Sequence, residues 1–343
     1  VRRAAPAFWW QPGLVPAAVA LWPAARLWGA AAAWRLGRTA RYRPPVGTIC
    51  VGNYVVGGAG KTPTTIALVR VARQSGAKPG ILARGYGGQL TGPLVVDPAR
   101  HGPLDVGDEA LLLAAAAPTV IAGDRAEGAS RLVAEGADLI LMDDGFQDPA
   151  VRKDLSLIAV DAAAGIGNGM TIPSGPLRAP LLAQLQRTDA LIVIGEGAAA
   201  EPLVRAAARA GRSVLRARLK PARVRDWRRG EMLAFAGIGR PQKFFDSLAA
   251  VGARLAAARA FPDHHAFTAE EATEMLAAAD AGGLRLVTTE KDAARLRGAH
   301  GTLAELRERA EVFEVALEFD NPVVIAEMVE SLVRKTAAGV FRA

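Results

Sequence analysis

The chain has 343 residues, 51% hydrophobic and 22% charged, which excludes a disordered or fibrous protein and is long enough for two domains with cores of their own. A single cysteine, Cys50, excludes an internal disulfide and any cysteine-based metal cluster, and the four histidines are too scattered for a metal site, so the compartment reads as reducing. The net charge of +8 is local: twelve Lys or Arg and no Asp or Glu precede Asp97, while the rest carries 30 basic and 34 acidic residues, so only the first third suits an anionic partner.

Residues 1–45 hold seven arginines, no acid and five of the six tryptophans. Phe8, Trp9, Leu14, Leu21, Trp22, Leu27, Trp28, Trp34 and Leu36 supply an apolar face, and Arg26, Arg35, Arg38, Arg41 and Arg43 gather toward one end. Apolar residues packed among arginines favour an anionic membrane surface over nucleic acid. Pro16, Pro23 and Arg26 interrupt the run short of the roughly 20 apolar residues a spanning helix needs. The spacing therefore predicts an amphipathic helix lying in the membrane interface. Two other readings fit the same residues: an export signal opening on Arg2-Arg3, and a helix packed on the core with its arginines in water.

From residue 46 to about 218, short apolar runs alternate with helical patterns, as in a parallel sheet covered on both faces. Strands are predicted at 46–51, 79–83, 119–122, 139–142, 155–160 and 190–194. The first leads into Val51-Gly-Asn-Tyr-Val-Val-Gly-Gly-Ala-Gly-Lys-Thr62 and then a helix. Gly57, Gly58, Ala59 and Gly60 make a loop whose N–H groups can converge on one anion, with the positive end of the helix behind them and Pro63 in its first turn. Lys61 then reaches the β- and γ-phosphates of ATP, and the Thr62 hydroxyl meets Mg²⁺. The first glycine of the general phosphate-loop pattern is missing, Val55 standing in its place. A tight strand-to-helix turn that happens to contain lysine is the structural alternative.

Leu139-Ile-Leu-Met-Asp-Asp144 is an apolar strand ending in two carboxylates, which suits Mg²⁺ or a ligating water near nucleotide phosphates; a turn or helix cap is the alternative. Asp108 and Glu109 open a helix, where acids usually serve the dipole. Arg84, Tyr86 and Arg125 stand at strand ends, in turns or in an acceptor pocket.

After a connection at 219–231, a second α/β pattern begins, with strands predicted at 232–236, 284–288 and 312–316 and helices at 242–250, 269–279, 293–296 and 323–334. Phe261-Pro-Asp-His-His265 places Asp263 and His264 in a loop, where an isolated histidine is usually just solvated. Thr289 with Asp292 reads as a helix cap.

The motifs Val51-Gly-Asn53, Gly57-Gly-Ala-Gly-Lys-Thr-Pro63, Arg84-Gly-Tyr-Gly-Gly88, Gly107-Asp-Glu109, Asp143-Asp-Gly-Phe-Gln147, Pro173-Ser-Gly-Pro-Leu-Arg178, Ala234-Phe-Ala-Gly-Ile-Gly239, Phe261-Pro-Asp-His264 and Thr289-Glu-Lys-Asp292 together resemble the tetraacyldisaccharide 4′-kinases, which phosphorylate the lipid A precursor in Gram-negative bacteria. One departure is Asp148, where the family commonly has histidine. The resemblance implies an α/β fold: a P-loop NTPase-like parallel-sheet core at 46–218, a linker at 219–231, a smaller α/β domain at 232–343 closing over the cleft, and the membrane-surface helix at 1–45. It implies a peripheral, monotopic enzyme on the cytoplasmic face of the inner membrane, with ATP and Mg²⁺ as cofactors and an acylated disaccharide lipid as substrate. It calls for no nucleic acid and no obligate protein partner.

The resemblance further implies that Asp108 is the base for the acceptor hydroxyl with His264 its partner, reversing the ranking from residues alone. Lys61 and the loop amides stabilise phosphate charge, and Thr62, Glu109, Asp143 and Asp144 arrange the metal. Arg84, Tyr86, Arg125 and Arg178 become candidates for holding the acceptor's phosphate and sugars. The alternatives are a P-loop kinase of a soluble small molecule and a membrane-associated P-loop switch ATPase.

Overall fold

The computed structural model describes residues 5–341 apart from Pro12, Leu14 and Val224; the expected roles of Arg2, Arg3 and Leu14 lie outside the described residues. The strands in chain order are β1 (Gly47–Gly52), β2 (Pro79–Ala83), β3 (Leu94–Val95), β4 (Thr119–Ile121), β5 (Leu139–Asp143), β6 (Leu155–Asp161), β7 (Ala190–Ile194), β8 (Ser213–Pro221), β9 (Glu231–Ala236), β10 (Arg254–Ala260), β11 (Arg285–Thr289), β12 (Ala310–Phe313) and β13 (Val315–Phe319). They form two sheets, ordered β13-β8-β7-β6-β1-β5-β2-β4-β3 and β10-β9-β11-β12.

The large sheet is mixed rather than purely parallel. Its seven central strands run parallel, and β3 and β13 lie antiparallel at the two edges. All six residues of β1 are buried. Ile49 and Val51 point into one core layer and Cys50 into the other, as the two-residue period of a strand covered on both faces requires. The small sheet is parallel throughout. Leu233 and Phe235 pack under the helix Ala269–Gly282, while Met232, Ala234 and Ala236 pack with Phe244, Phe245 and Leu248.

The sheet pairing divides the chain differently from the boundary expected at 232–343. Residues 312–316, expected as one strand, hold the end of β12 and the start of β13, which belong to different sheets. From Val315 the chain returns to the large sheet: β13 pairs with β8, and Ile325, Val329 and Leu332 of the helix Pro322–Ala337 join the layer containing Ile49 and Leu139. Strand β8 also extends to Pro221, into the segment expected as linker. The four-stranded unit is thus inserted between two neighbouring strands of the large sheet.

The N-terminal segment forms a short 3-10 turn, Ala7–Trp10, and the helices Pro16–Ala20 and Trp22–Gly37. Trp22, Leu27, Trp28 and Trp34 are exposed, with Arg26 over the Trp22 ring and Arg38 over the Trp34 ring. Trp9 and Leu36, expected on the outward apolar face, are instead buried. The Trp9 indole N–H donates to the Pro173 carbonyl at 2.9 Å, and Thr171 Oγ1 donates to Ala25 O at 2.9 Å, so one side of this segment packs on the loop 168–180. Among the described residues no helix is long and apolar enough to cross a membrane.

Candidate functional site

The candidate side chains gather at the carboxyl ends of β1, β5 and β6, the usual ligand position of such sheets. The loop after β1 turns at Gly57 (φ +109°) and Gly60 (φ +87°), backbone conformations that disfavour a side chain. A Cβ on Gly60 would also stand 2.7 Å from Ile194 at the end of β7. The Asn53 side-chain amide donates to Gly57 O at 3.0 Å and holds the loop from within. The helix Lys61–Gln74 starts directly behind it, with Thr62 buried and Lys61 Nζ 3.7 Å from Asp144 Oδ2.

The two acids after β5 have opposite surroundings. Asp143 is buried and accepts a 2.8 Å hydrogen bond from Thr65 Oγ1. Burial, reinforced by the charge of Glu109 and opposed by Lys61, pushes its carboxyl up to about 6. Burial also works against the Asp144 charge, but Lys61 and Arg178 hold that carboxyl below its ordinary value. Asp144 sits at φ +50°, a conformation aspartate tolerates better than most residues. Arg178 grips it with both terminal nitrogens, at 2.9 and 3.3 Å, while its Nε donates to Val55 O at 3.1 Å.

From the other domain come three nitrogen-bearing side chains. Lys291 donates to Glu109 Oε1 at 2.5 Å, Arg295 Nε to Asp108 Oδ2 at 2.7 Å, and His264 Nδ1 lies 3.4 Å from the same oxygen. Burial disfavours the Asp108 charge, but the His264 hydrogen bond with the charges of Arg295, His264 and Lys291 overcomes it and holds the carboxyl well below the carboxylate range. Burial likewise disfavours the Lys291 ammonium, yet Glu109 keeps it above an ordinary lysine. His264 adopts φ +57° and donates its N–H to Gly237 O; its ring meets Tyr86 edge-on at 5.8 Å between centroids. A second bridge joins buried Asp161, at the end of β6, to Arg240 and Lys243, the latter at 2.7 Å.

The structure thus brings together Lys61, Thr62, Asp108, Glu109, Asp143, Asp144, His264 and Arg178. Arg125 departs from its expected place in an acceptor pocket: it is buried and donates to the Asp143 carbonyl at 3.4 Å, bracing the strand end from beneath. Arg84 and Tyr86 are exposed. Asp148 closes a local turn, accepting from Ala150 N.

Sequence reading missed Lys291, Arg295 and the Asp161 bridge. The Thr289 cap is present, its Oγ1 accepting from Asp292 N, and it hid a second signal. Lys291 stands in the first turn of a helix, where the dipole favours anions.

A family profile described as tetraacyldisaccharide-1-P 4′-kinase matches residues 17–334. The chain belongs to this family. Among the tetraacyldisaccharide 4′-kinases, that of Methylorubrum extorquens (strain PA1) is 50% identical over 316 residues, covering 92% of this chain and 94% of the relative. That of Methylobacterium sp. (strain 4-46) is 55% identical over 299 residues, covering 86% and 89%. The fold is similar to a crystal structure of LpxK from Aquifex aeolicus in complex with ATP, with a TM-score of 0.70 at 22% identity, covering 93% of this chain and 99% of that one.

Proposed function

We propose that the cleft between the two sheets transfers the γ-phosphate of ATP to the 4′-hydroxyl of a tetraacyldisaccharide 1-phosphate, with Asp108 accepting the hydroxyl proton. The activity follows from family membership: the chain is an ATP-dependent tetraacyldisaccharide 4′-kinase of lipid A biosynthesis. The observation that carries the residue roles is the meeting of Asp108 with His264 and Arg295 across the cleft, beside the phosphate loop.

A sugar hydroxyl is almost wholly protonated at neutral pH, so a base must take its proton as the bond to phosphorus forms. In a loose transition state, aim matters more than base strength. Asp108 is ionised at neutral pH and held by groups from both domains, which suits that role. His264, on the same oxygen, steadies the carboxylate as it receives the proton. Lys61 and the N–H groups of Gly57, Gly58, Ala59, Gly60 and Thr62 surround the phosphates, with Pro63 fixing the first turn behind them.

Mg²⁺ would be held by Thr62, Asp143, Asp144 and Glu109, and would supply neutralisation of phosphate charge. The donor set fits: all are hard oxygens, and Asp143 is a buried carboxylate short of compensating cations. Among the described residues no three His, Cys, Asp or Glu side chains are arranged as a metal cage; a cation that keeps its waters and binds one or two carboxylates plus substrate phosphates needs none.

Exposed Trp22, Leu27, Trp28 and Trp34 beside Arg26, Arg35 and Arg38 support peripheral attachment to an anionic bilayer on the cytoplasmic face of the inner membrane. An enzyme so placed meets a substrate whose acyl chains keep it in the bilayer. The test is transfer of radiolabel from γ-labelled ATP to tetraacyldisaccharide 1-phosphate in detergent micelles. Labelled lipid that forms far more slowly in both Lys61→Ala and Asp108→Ala supports the assignment. A folded, ATP-binding Asp108→Ala protein with unchanged turnover removes Asp108 from the role of base.

A further inference from the structure

Arg295 lies 187 residues beyond Asp108 in the chain, yet its Nε donates to Asp108 Oδ2 at 2.7 Å with both side chains nearly buried, 9% and 5% exposed. Its other nitrogens show how the contact is aimed. One terminal nitrogen donates to Gly237 O and to Asp292 Oδ1, each at 2.6 Å; the other is buried without a partner. Arg295 is therefore not placed where its own hydrogen bonding is best served.

Gly237, just past the end of β9, is fixed on both sides. Its N–H donates to Asp292 Oδ1 at 3.1 Å, and its carbonyl accepts from His264 N at 3.0 Å as well as from Arg295. A Cβ there would stand 3.0 Å from His265 Cβ and 3.2 Å from Asp292 Oδ1, so the missing side chain allows this convergence. Asp292 is in turn held by Thr289 Oγ1 at 2.6 Å. One carbonyl thus sets the position of both groups that face Asp108 Oδ2.

A simple interdomain strut is the competing account. A buried ion pair is a poor strut, because desolvation offsets much of its attraction, and Lys291 and Lys243 already bridge the domains at less buried positions.

We infer that Arg295 is a positioning residue for phosphoryl transfer: mounted on Gly237 and Asp292, it aims the Asp108 carboxylate at the acceptor hydroxyl, and does so when the small domain is closed on the large one. The inference rests on Asp108 being the base. Because Arg295 and His264 share an anchor, domain closure delivers both as one rigid unit.

The experiment measures turnover in micelles and nucleotide affinity for Arg295→Met, Arg295→Lys, Arg295→Ala, Asp108→Ala and the Asp108→Ala, Arg295→Met double variant. Arg295→Met is expected to lower kcat on the order of 10²-fold, the scale of a misplaced catalytic group, with KM for ATP little changed. Lysine recovers little, since one ammonium cannot reproduce the planar fork. In Arg295→Ala, added guanidinium restores part of kcat and added ammonium does not. On the Asp108→Ala background, Arg295→Met has no further effect.

An unchanged kcat, or an equal loss on both backgrounds, makes Arg295 a strut and overturns the inference. Full activity of Asp108→Ala overturns instead the base assignment beneath it. Should Arg295→Met fail to fold by circular dichroism, Arg295→Lys is read in its place, and wild-type kcat there overturns the inference.

Discussion

The two walls of the cleft are built on opposite plans. The large-sheet wall is a backbone cradle with acids at its rim: the loop 53–60, Asp143 and Asp144, with Asp108 and Glu109 alongside. The small-sheet wall brings the cations Lys291 and Arg295, with the His264 ring, to those last two acids. The contrast is sharpest between two buried aspartates. Asp143, set among large-sheet elements, is pushed up to about 6, whereas Asp108, facing the other wall, is held well below the carboxylate range. Asp108 is kept charged from across the cleft, whereas Asp144 is kept charged by Lys61 and Arg178 of its own wall.

Breaking the first wall should cost most. Lys61→Ala removes the cation proposed to face the phosphates, with kcat expected to fall on the order of 10³-fold in the micelle assay. Breaking the second at Lys291 is milder. Lys291→Met leaves Glu109 without its partner, so kcat should fall roughly tenfold, and small-angle scattering of the nucleotide-free protein should show a larger radius of gyration as the domains part.

The aspartate contrast is sharpened by Asp143→Asn, which should abolish turnover yet stabilise the nucleotide-free fold. The sign follows from a folded value of about 6 against 3.8 in the unfolded chain. At pH 4 the carboxyl costs little, because it is largely neutral in the folded state. The cost builds as pH rises from about 4 to about 6 and is level above that, so the variant should gain up to about 3 kcal/mol at pH 7.5 and much less at pH 4, read by denaturant titration. The smallest effect lies outside both walls: Trp34→Ala should weaken binding to anionic vesicles by about 1 kcal/mol while turnover in micelles persists.

How much of this could be read from sequence follows the same division. The first wall is local in the chain. Strand, glycine loop, Lys61 and Thr62 are consecutive, and Asp143 and Asp144 end an apolar strand, so periodicity and turn chemistry locate them. The second wall depends on contacts between residues as far apart as 187 positions, which no local pattern encodes. Lys291 and Arg295 sit in a short helix with an adequate cap, and Asp108 opens a helix as acids often do; each had a sufficient local explanation. Family resemblance, rather than spacing, paired Asp108 with His264.

The fold shows the same limit. The buried strands β1, β2, β5, β6 and β7 are largely apolar and legible in the sequence. Strand β10, Arg254–Ala260, is rich in alanine and arginine, residues that favour helix, and becomes a strand through pairing with β9 at the sheet edge. Strand β8 mixes arginines among its apolar residues, a pattern that does not stand out from chain leading to a linker. A strand-end arginine such as Arg125 looks the same in sequence whether it braces the turn or lines an acceptor pocket.

The return of β13 and the last helix to the large sheet has a consequence for how the protein is made. Ile325, Val329 and Leu332 cover the layer around Ile49 and Leu139, and Thr336 accepts from the Gly47 N–H at 2.9 Å. When the ribosome has delivered the first 221 residues, eight of the nine strands exist, but the covering helix and the last strand are about a hundred residues away. The nascent sheet must wait with part of its apolar face bare while the four-stranded unit emerges and folds. A chain stalled or cut within that unit leaves an incomplete kinase core for chaperones and proteases, so synthesis admits the catalytic fold only after both walls of its cleft are present.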